Sequence, residues 1–320
     1  MHPLSYCLLR PAAEDALGAA RYAPKKLILI HTAVSLAVGL VLSILTYVLD
    51  LGIAQTGGLS GINSRAMLQS LQSLLSMVSV ILLPFWEIGY LFTALQFARR
   101  RSPDTGSLFA GLRNWGVVLR SMVLKCALLI AVIFIGVQTI STVYLMTPAA
   151  RPMYDFAQQM AEAGITDPFA MVENEEYVAL VMQAVPLMLI GLAVLILPLM
   201  YLLRFVDYVV MDRPELGARY AVRTSIAITW RNFKQLFKLD LHFWWYYLLE
   251  LLVAAVSYGY LALDIAGIDI GIAGDTAVFV FYLLSLAAQL GLYVWRKNTV
   301  FTTYALAYDC LCPRAEETES

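Results

Sequence analysis

Two carboxylates, Glu87 and Glu250, are the residues of this chain whose positions most favour chemistry, because each falls deep inside a long apolar run. A charged side chain at the centre of a membrane-spanning helix costs about 2.5–3.5 kcal/mol on insertion scales and commonly marks a functional site. Counted from the nearest polar ends, Arg99 and Asp240, the two residues lie 12 and 10 positions into their runs. At about 1.5 Å per residue this depth is roughly 15–18 Å, which predicts that both carboxylates lie near the bilayer midplane.

Two interpretations of these carboxylates are open. In a water-filled cavity, repulsion between like charges favours keeping one carboxylate protonated, and a proton or a cation is then exchanged during transport. Alternatively, each carboxylate is protonated and hydrogen-bonded to a backbone group or a hydroxyl of a neighbouring helix. We therefore predict Glu87 and Glu250 as a candidate intramembrane functional site, and we assign no catalytic residue, cofactor or metal ligand.

Other polar residues near the ends of apolar runs do not form a recognisable catalytic centre. His31, Asp240 and His242 are of types that bind metals or transfer protons, but Asp240 and His242 are two residues apart, so a helix points them to different faces. The sequence contains no H-E-x-x-H, G-x-S-x-G or Walker signature, and we predict no enzymatic activity. Arg204 and Asp207 are three residues apart, and this spacing predicts that they pair with each other on one helix.

The composition of the whole chain indicates the elements that position these residues. Hydrophobic residues make up 60% of the sequence and charged residues 14%, whereas charged residues make up about 25% of a soluble domain. About 20 apolar residues cross the bilayer core as a helix, which satisfies every backbone hydrogen bond within the segment. Six runs meet this length, at residues 27–49, 74–98, 126–146, 178–203, 241–263 and 276–295.

The predicted fold is therefore all-α, a polytopic transmembrane helix bundle with six spans. Residues 27–308 form a single membrane domain in this interpretation. A cytoplasmic N-terminal segment, 1–26, precedes that domain, and a disordered cytoplasmic tail, 309–320, follows it.

The distribution of basic residues predicts the orientation of the bundle. Of the 22 Lys and Arg residues, 20 fall at the two termini or in segments 99–125 and 204–238, which the six spans assign to one side of the membrane. Basic residues are retained in the cytoplasm, so we expect both termini inside a bacterial cell (inner) membrane. The acidic loop 148–177 is then outside. A net charge of -1 offers no basic surface for nucleic acid.

Two segments on the predicted cytoplasmic side have amphipathic helical patterns. In the first, Leu108, Leu112, Trp115 and Leu119 recur at helical spacing, which predicts a helix on the membrane surface. The second segment carries basic residues beside an apolar sector and predicts a second such helix, with membrane lipids as partners. A simple positive-inside anchor explains the same residues. The basic set is Arg219, Arg223, Arg231, Lys234 and Lys238, and the apolar set is Val222, Ile226, Trp230, Phe233 and Phe237.

Several local patterns in this chain are similar to those of a known family. They are a Pro-x-x-Glu-x-Gly step at residues 84–89, a following basic loop rich in Phe, and a stretch from Asp207 to Leu241 that leads into an aromatic-rich span. Through segments 84–115 and 201–248 the chain resembles domain-of-unknown-function family 975, a bacterial family of integral membrane proteins. The resemblance implies no enzymatic role, because that family has no established activity.

Two functions of different kinds are compatible with these observations. The first is a transporter-like protein that handles a small molecule or ion at Glu87 and Glu250. The second is a non-catalytic membrane scaffold or assembly partner, which would bind another membrane protein or a second copy of this chain. A wet cavity around the carboxylates favours the first function, and carboxylates packed in a dry core favour the second.

Overall fold

The computed structural model describes residues 6–20, 24–55, 62–162, 175–257, 259 and 274–312. Within these residues helix accounts for 93% and no strand occurs, which confirms the all-α class. Residues 163–174, which belong to the predicted acidic loop, and residues 260–263 at the end of the predicted fifth span lie outside the described residues.

Thirteen α-helices are described, and three short 3₁₀ turns and one π-helical turn connect some of them. The α-helices are Tyr6–Gly18 (α1), Pro24–Gln55 (α2), Ile62–Ala98 (α3), Ala110–Arg113 (α4), Trp115–Leu145 (α5), Arg151–Glu162 (α6), Glu175–Leu202 (α7), Val206–Asp212 (α8), Gly217–Arg231 (α9), Phe233–His242 (α10), Trp244–Ser257 (α11), Gly274–Leu292 (α12) and Asn298–Leu311 (α13). The 3₁₀ turns are Thr105–Phe109, Pro148–Ala150 and Pro214–Leu216, and the π-helical turn Tyr293–Lys297 joins α12 to α13.

Four helical segments among the described residues are long and apolar enough to cross a membrane. They are Pro24–Ile53, Ala66–Ala98, Trp115–Leu145 and Val178–Asp212. Helices α10 and α11, which meet at a bend of 58°, make a fifth if they cross as one span. Helix α12 covers most of the predicted sixth span, and the total of six spans stays a prediction.

The buried core lies at the end of the bundle that the basic residues assign to the cytoplasm. It contains the second half of α3, from Phe85 to Ala98, together with α8 and nearly all of α13. Farther along the long helices the apolar side chains are exposed, as expected for surfaces that face lipid tails. Examples of such exposed side chains are Leu40, Leu74, Ile130 and Ile190.

Both predicted terminal segments contribute to this core. Helix α1 lies within the segment predicted as a cytoplasmic lead, and it buries Leu9, Ala13 and Ala16 against its neighbours. The predicted disordered tail begins too early, because α13 continues to Leu311. Its Asp309 is held by hydrogen bonds from Arg99. Residues 313–320 of that tail lie outside the described residues.

The two predicted surface helices have different outcomes. The first does not form one helix, since the chain breaks at Asn114 and Leu108 is buried while Trp115 is exposed. In the second segment, α9 and α10 follow each other across a break at Asn232. All five of its predicted basic residues are exposed, while the opposite face buries side chains such as Leu236. A position of this face on a lipid surface stays a prediction.

Two glycines let the segment after α3 fold back onto that helix. A Cβ at Gly89 would lie 1.8 Å from the carbonyl oxygen of Leu108, and a Cβ at Gly111 would lie 2.1 Å from that of Phe85. Any side chain at either position would therefore collide with backbone, which cannot move aside as a side chain does. This close crossing fixes the part of α3 that carries Glu87.

Candidate functional site

Glu87 contacts two nitrogen groups from distant parts of the chain. Lys297 Nζ donates a hydrogen bond to Glu87 Oε1 at 2.7 Å, and His31 Nε2 lies 2.9 Å from Oε2. The three residues come from α2, α3 and the π-helical turn, so the site exists only when these elements pack. Sequence reasoning singled out Glu87 but did not predict either contact.

The members of this cluster differ sharply in exposure. The side chain of His31 is 2% exposed and that of Lys297 is 4% exposed, whereas that of Glu87 is 41% exposed. The two nitrogen groups are therefore buried behind the carboxylate. An incoming molecule would reach Glu87 before it reached either partner.

Lys297 enters the cluster from the π-helical turn. A π-helical turn has a wider repeat than an α-helix, so it changes the face on which later residues lie, and such turns are frequent at functional sites. The ammonium of Lys297 lies 4.3 Å from the ring centroid of Tyr293, 5.1 Å from that of Tyr90 and 5.2 Å from that of Phe301. These distances permit cation–π attraction, which helps to hold a buried positive charge.

His31 is held by its backbone and by ring contacts. Trp86 Nε1 donates a hydrogen bond to the carbonyl oxygen of His31 at 3.0 Å, and the two rings are stacked with centroids 5.5 Å apart. The ring of Tyr90 lies on His31 at 4.6 Å. Neither imidazole nitrogen has a hydrogen bond of good geometry to any described residue, although Nε2 is close to Glu87. The imidazole thus retains hydrogen-bonding capacity inside the cluster.

A hydrogen-bond chain joins the start of α2 to α3 and α13 beside the cluster. Tyr90 Oη donates to Asn298 Oδ1 at 2.6 Å, and Asn298 Nδ2 donates to the carbonyl oxygen of Pro24 at 2.9 Å. Asn298 is the neighbour of Lys297 in sequence. This chain therefore fixes the backbone position from which the lysine reaches Glu87.

Glu87 and its partners line an open cavity of about 500 Å³. A second ion pair lines the same cavity, where Lys125 Nζ donates to both carboxylate oxygens of Asp207 at 2.6 and 2.9 Å. Apolar walls complete the cavity. Their members include Leu36, Leu83, Leu286 and Leu290.

Comparisons with known proteins do not indicate what this cavity binds. No family model, curated protein or solved structure matches the chain. The resemblance to family 975 therefore stays a prediction. The geometry itself offers one accessible carboxylate backed by two buried nitrogen groups, beside a second ion pair and an apolar wall.

Glu250 lies apart from this arrangement. It accepts a hydrogen bond of 2.9 Å from Tyr246 Oη, one turn earlier on α11, and it is not among the residues that line the cavity. The structure thus places a lysine and a histidine against Glu87, and a tyrosine against Glu250. A direct pair of carboxylates, one of the two interpretations of the sequence, is not observed.

The position of Glu87 along the helix bundle is given by the register of α3 against α13. Glu87 and Lys297 are 210 residues apart, and so are Arg99 and Asp309, which form an ion pair at the far end of the same two helices. The helices are therefore parallel and in constant register over roughly 18 Å. Lys297 lies two residues beyond the end of the predicted sixth span, 276–295. If that span ends where the sequence predicts, Glu87 is level with its end; the midplane position of Glu87 stays a prediction.

Helix α3 is longer than the hydrocarbon core of a bilayer is thick. Its 37 residues extend over about 55 Å, whereas roughly 20 residues cross the hydrocarbon core. The length of α3 alone therefore does not fix where along the helix the membrane boundary lies. The buried part of α3 from Phe85 onward belongs to the packed end of the bundle.

Arg99, directly after the last residue of α3, closes one end of this packed region. Its guanidinium donates to both carboxylate oxygens of Asp309 at 2.6–3.1 Å and to Asp212 Oδ1 at 2.6 Å. Burial alone would lower the pKa of Arg99, but the bonds to Asp309 and Asp212 outweigh burial and hold the pKa above its usual range. The guanidinium is charged under all physiological conditions and ties α3, α8 and α13 together.

The predicted pair of Arg204 and Asp207 is wrong. Arg204 donates two hydrogen bonds to Asp240 at 2.7 and 2.8 Å, and Asp207 is bound by Lys125. Residues 203–205 form a break between α7 and α8, so a spacing of three does not bring the two residues to one face.

His242 contacts Arg10 at 3.5 Å, and the described residues contain no group of three side chains that could hold a metal.

Proposed function

We propose that this chain is a transporter-like, multi-pass membrane protein that exchanges a proton or a small organic cation at Glu87. One observation carries the proposal. The carboxylate of Glu87 is 41% exposed to an open cavity, while both of its nitrogen partners are buried behind it. A cation in the cavity therefore competes directly with Lys297 and His31 for the same two oxygens.

The chemistry around Lys297 favours an ammonium-type ligand. Three aromatic rings surround the ammonium group of Lys297 at 4.3–5.2 Å, and one of them, Tyr293, also lines the cavity, so the cavity offers an aromatic face to an organic cation beside Glu87. The leucine walls of the cavity fit short alkyl groups next to the charge. When a ligand cation or a proton occupies Glu87, the Lys297 contact weakens, and the junction of α12 and α13 is released from α3.

The location we propose is a bacterial cell membrane, with both termini in the cytoplasm. Support comes from the 20 basic residues on one predicted side and from the apolar surfaces of the long helices. The cavity then lies near the inner boundary of the bilayer and is reached from the cytoplasmic half of the membrane.

The test uses the purified full chain in vesicles that contain a trapped pH-sensitive dye. Methylammonium, choline or sodium is added outside under an imposed proton gradient, and the dye signal and uptake of radiolabelled cation are recorded. We expect at least one cation to move faster than in protein-free vesicles. Glu87→Gln should abolish that difference, because an amide carries no charge to exchange.

Glu162→Gln is the matched control, since it removes an exposed carboxylate on α6 whose contact is with Gln158. It should transport like the wild type. Transport that persists in Glu87→Gln, or wild-type flux equal to that of empty vesicles with all three cations, contradicts the proposal.

A scaffold is the second candidate, favoured by the way ion pairs at both ends lock α13 to α3. In that function Glu87 is a structural partner of Lys297, and the packed cytoplasmic end presents a surface to another membrane protein or a second copy. It predicts that Glu87→Gln lowers thermal stability, while vesicles with either protein show no cation flux.

A further inference from the structure

We infer that a groove between α5 and the start of α9, which shares no lining residue with the Glu87 cavity, binds an anionic phospholipid of the cytoplasmic leaflet. The groove has a volume of about 610 Å³. Arg120 and Arg219 supply its charged end, and Val123, Ala127 and Leu216 supply apolar surface. This combination suits a ligand with an anionic head and a hydrocarbon chain.

The charged and apolar parts of the groove are ordered along α5. Val123 lies one turn beyond Arg120 and Ala127 lies two turns beyond it, which places Ala127 about 10 Å farther along the helix axis. Ala127 falls inside the predicted third span, whereas Arg120 precedes that span by six residues. An acyl chain along α5 would thus enter the bilayer core while its phosphate stayed near the two arginines.

The electrostatics of the groove favour an anion. Arg120 and Arg219 are both exposed, and neither forms an ion pair with a carboxylate of the described residues. From residue 217 to residue 239 the chain has five basic residues and no acidic one. Glu215 is the acid nearest in sequence, and its side chain is exposed. Guanidinium groups bind phosphate oxygens in a forked geometry, and each basic residue near an anionic leaflet adds attraction.

The backbone at the mouth of the groove leaves room for the head group. Gly217 has a φ of +78°, and a Cβ built on it would have no atom within 4 Å. The left-handed conformation turns the chain from the 3₁₀ turn Pro214–Leu216 into α9, which brings Arg219 to the same groove as Arg120. Apart from its neighbours Leu216 and Ala218, which themselves line the groove, no residue comes close to this position.

Native mass spectrometry of the full chain in detergent micelles tests the inference, with phosphatidylglycerol and phosphatidylcholine of identical acyl chains as probes. We expect phosphatidylglycerol to bind in preference to phosphatidylcholine. Arg120→Gln with Arg219→Gln should weaken its binding about 30-fold, the effect of two basic residues at a lipid surface. Arg101→Gln with Arg113→Gln removes two other exposed charges of the same predicted side and should change binding by less than about threefold.

A second variant separates a lipid from a free anion. Ala127→Phe adds bulk to the apolar end and leaves both arginines in place, so it should weaken phosphatidylglycerol binding while inorganic phosphate does not compete. The inference would be overturned by equal binding of the two lipids, by equal losses of lipid binding in the two double variants, or by displacement of the lipid by inorganic phosphate. A signal from dimers in place of lipid adducts would do so too, by making the groove an interface between copies.

Discussion

Lys297 donates a hydrogen bond of 2.7 Å to Glu87 across a sequence separation of 210 residues. The same separation recurs at the other end of the two helices, where Arg99 binds Asp309. Helices α3 and α13 are thus held in one register by an ion pair at each end. One of these pairs faces an open cavity, and the other closes the opposite end of the core, where α3 ends.

Lys297→Met should destabilise the protein more than the loss of a surface ion pair would. Removing one partner of a buried ion pair costs roughly 3–5 kcal/mol of stability. Because Glu87 is partly exposed, we expect a loss of about 3 kcal/mol or less here. Glu87→Leu combined with Lys297→Met should recover part of the loss, since the partly buried carboxylate that loses its lysine partner is then removed as well. Thermal unfolding of the wild type, both single variants and the double variant in detergent measures this coupling. If the losses of stability in the two single variants simply add in the double variant, the contact between Glu87 and Lys297 does not stabilise the fold.

Arg99→Lys should weaken the end of the core where α3 ends, even though it keeps the charge. A lysine ammonium cannot bind Asp309 in a forked geometry and bind Asp212 at the same time, so we expect a loss of roughly 2–3 kcal/mol. Arg100→Lys is the matched control, because Arg100 pairs with Asp15 on the exposed surface, where a pair contributes about 0–1 kcal/mol. Chemical or thermal unfolding in detergent compares the two. Equal losses of stability in both variants would show that the bonds of Arg99 to Asp309 and Asp212 do not hold the helices together.

Gly89→Ala should disrupt the crossing of α3 with the segment before α4. The new methyl group would lie 1.8 Å from the carbonyl oxygen of Leu108, so the backbone must separate, at a cost of about 1–3 kcal/mol or more. Gly116→Ala is the control, since its Cβ would meet nothing within 4 Å on α5 and should stabilise that helix by up to about 1 kcal/mol. Opposite shifts in the unfolding midpoint are expected. An unchanged unfolding midpoint in Gly89→Ala would show that α3 and the segment at Leu108 do not pack this closely.

The amino-acid sequence was sufficient for properties that depend on local composition. Long apolar runs without strand alternation determine helices, because an apolar segment in lipid must satisfy its own backbone hydrogen bonds. The same reasoning identified Glu87, since one carboxylate in an apolar run is visible without any knowledge of packing. The two chain ends were less accessible to this approach, because α1 and α13 are ordered by contacts with helices distant in sequence.

The tertiary structure alone decided which charges meet. Lys297 looked like an ordinary basic residue after a span, and only the π-helical turn and the register of α13 on α3 bring it to Glu87. Arg204 and Asp207 looked like partners, yet the break at residues 203–205 sends them to Asp240 and Lys125. Spacing in a sequence describes one helix at a time, whereas an ion pair between helices depends on where each helix ends and how it rotates against its neighbours. The chain therefore determined its helices and one accessible carboxylate by itself, and packing determined what that carboxylate binds.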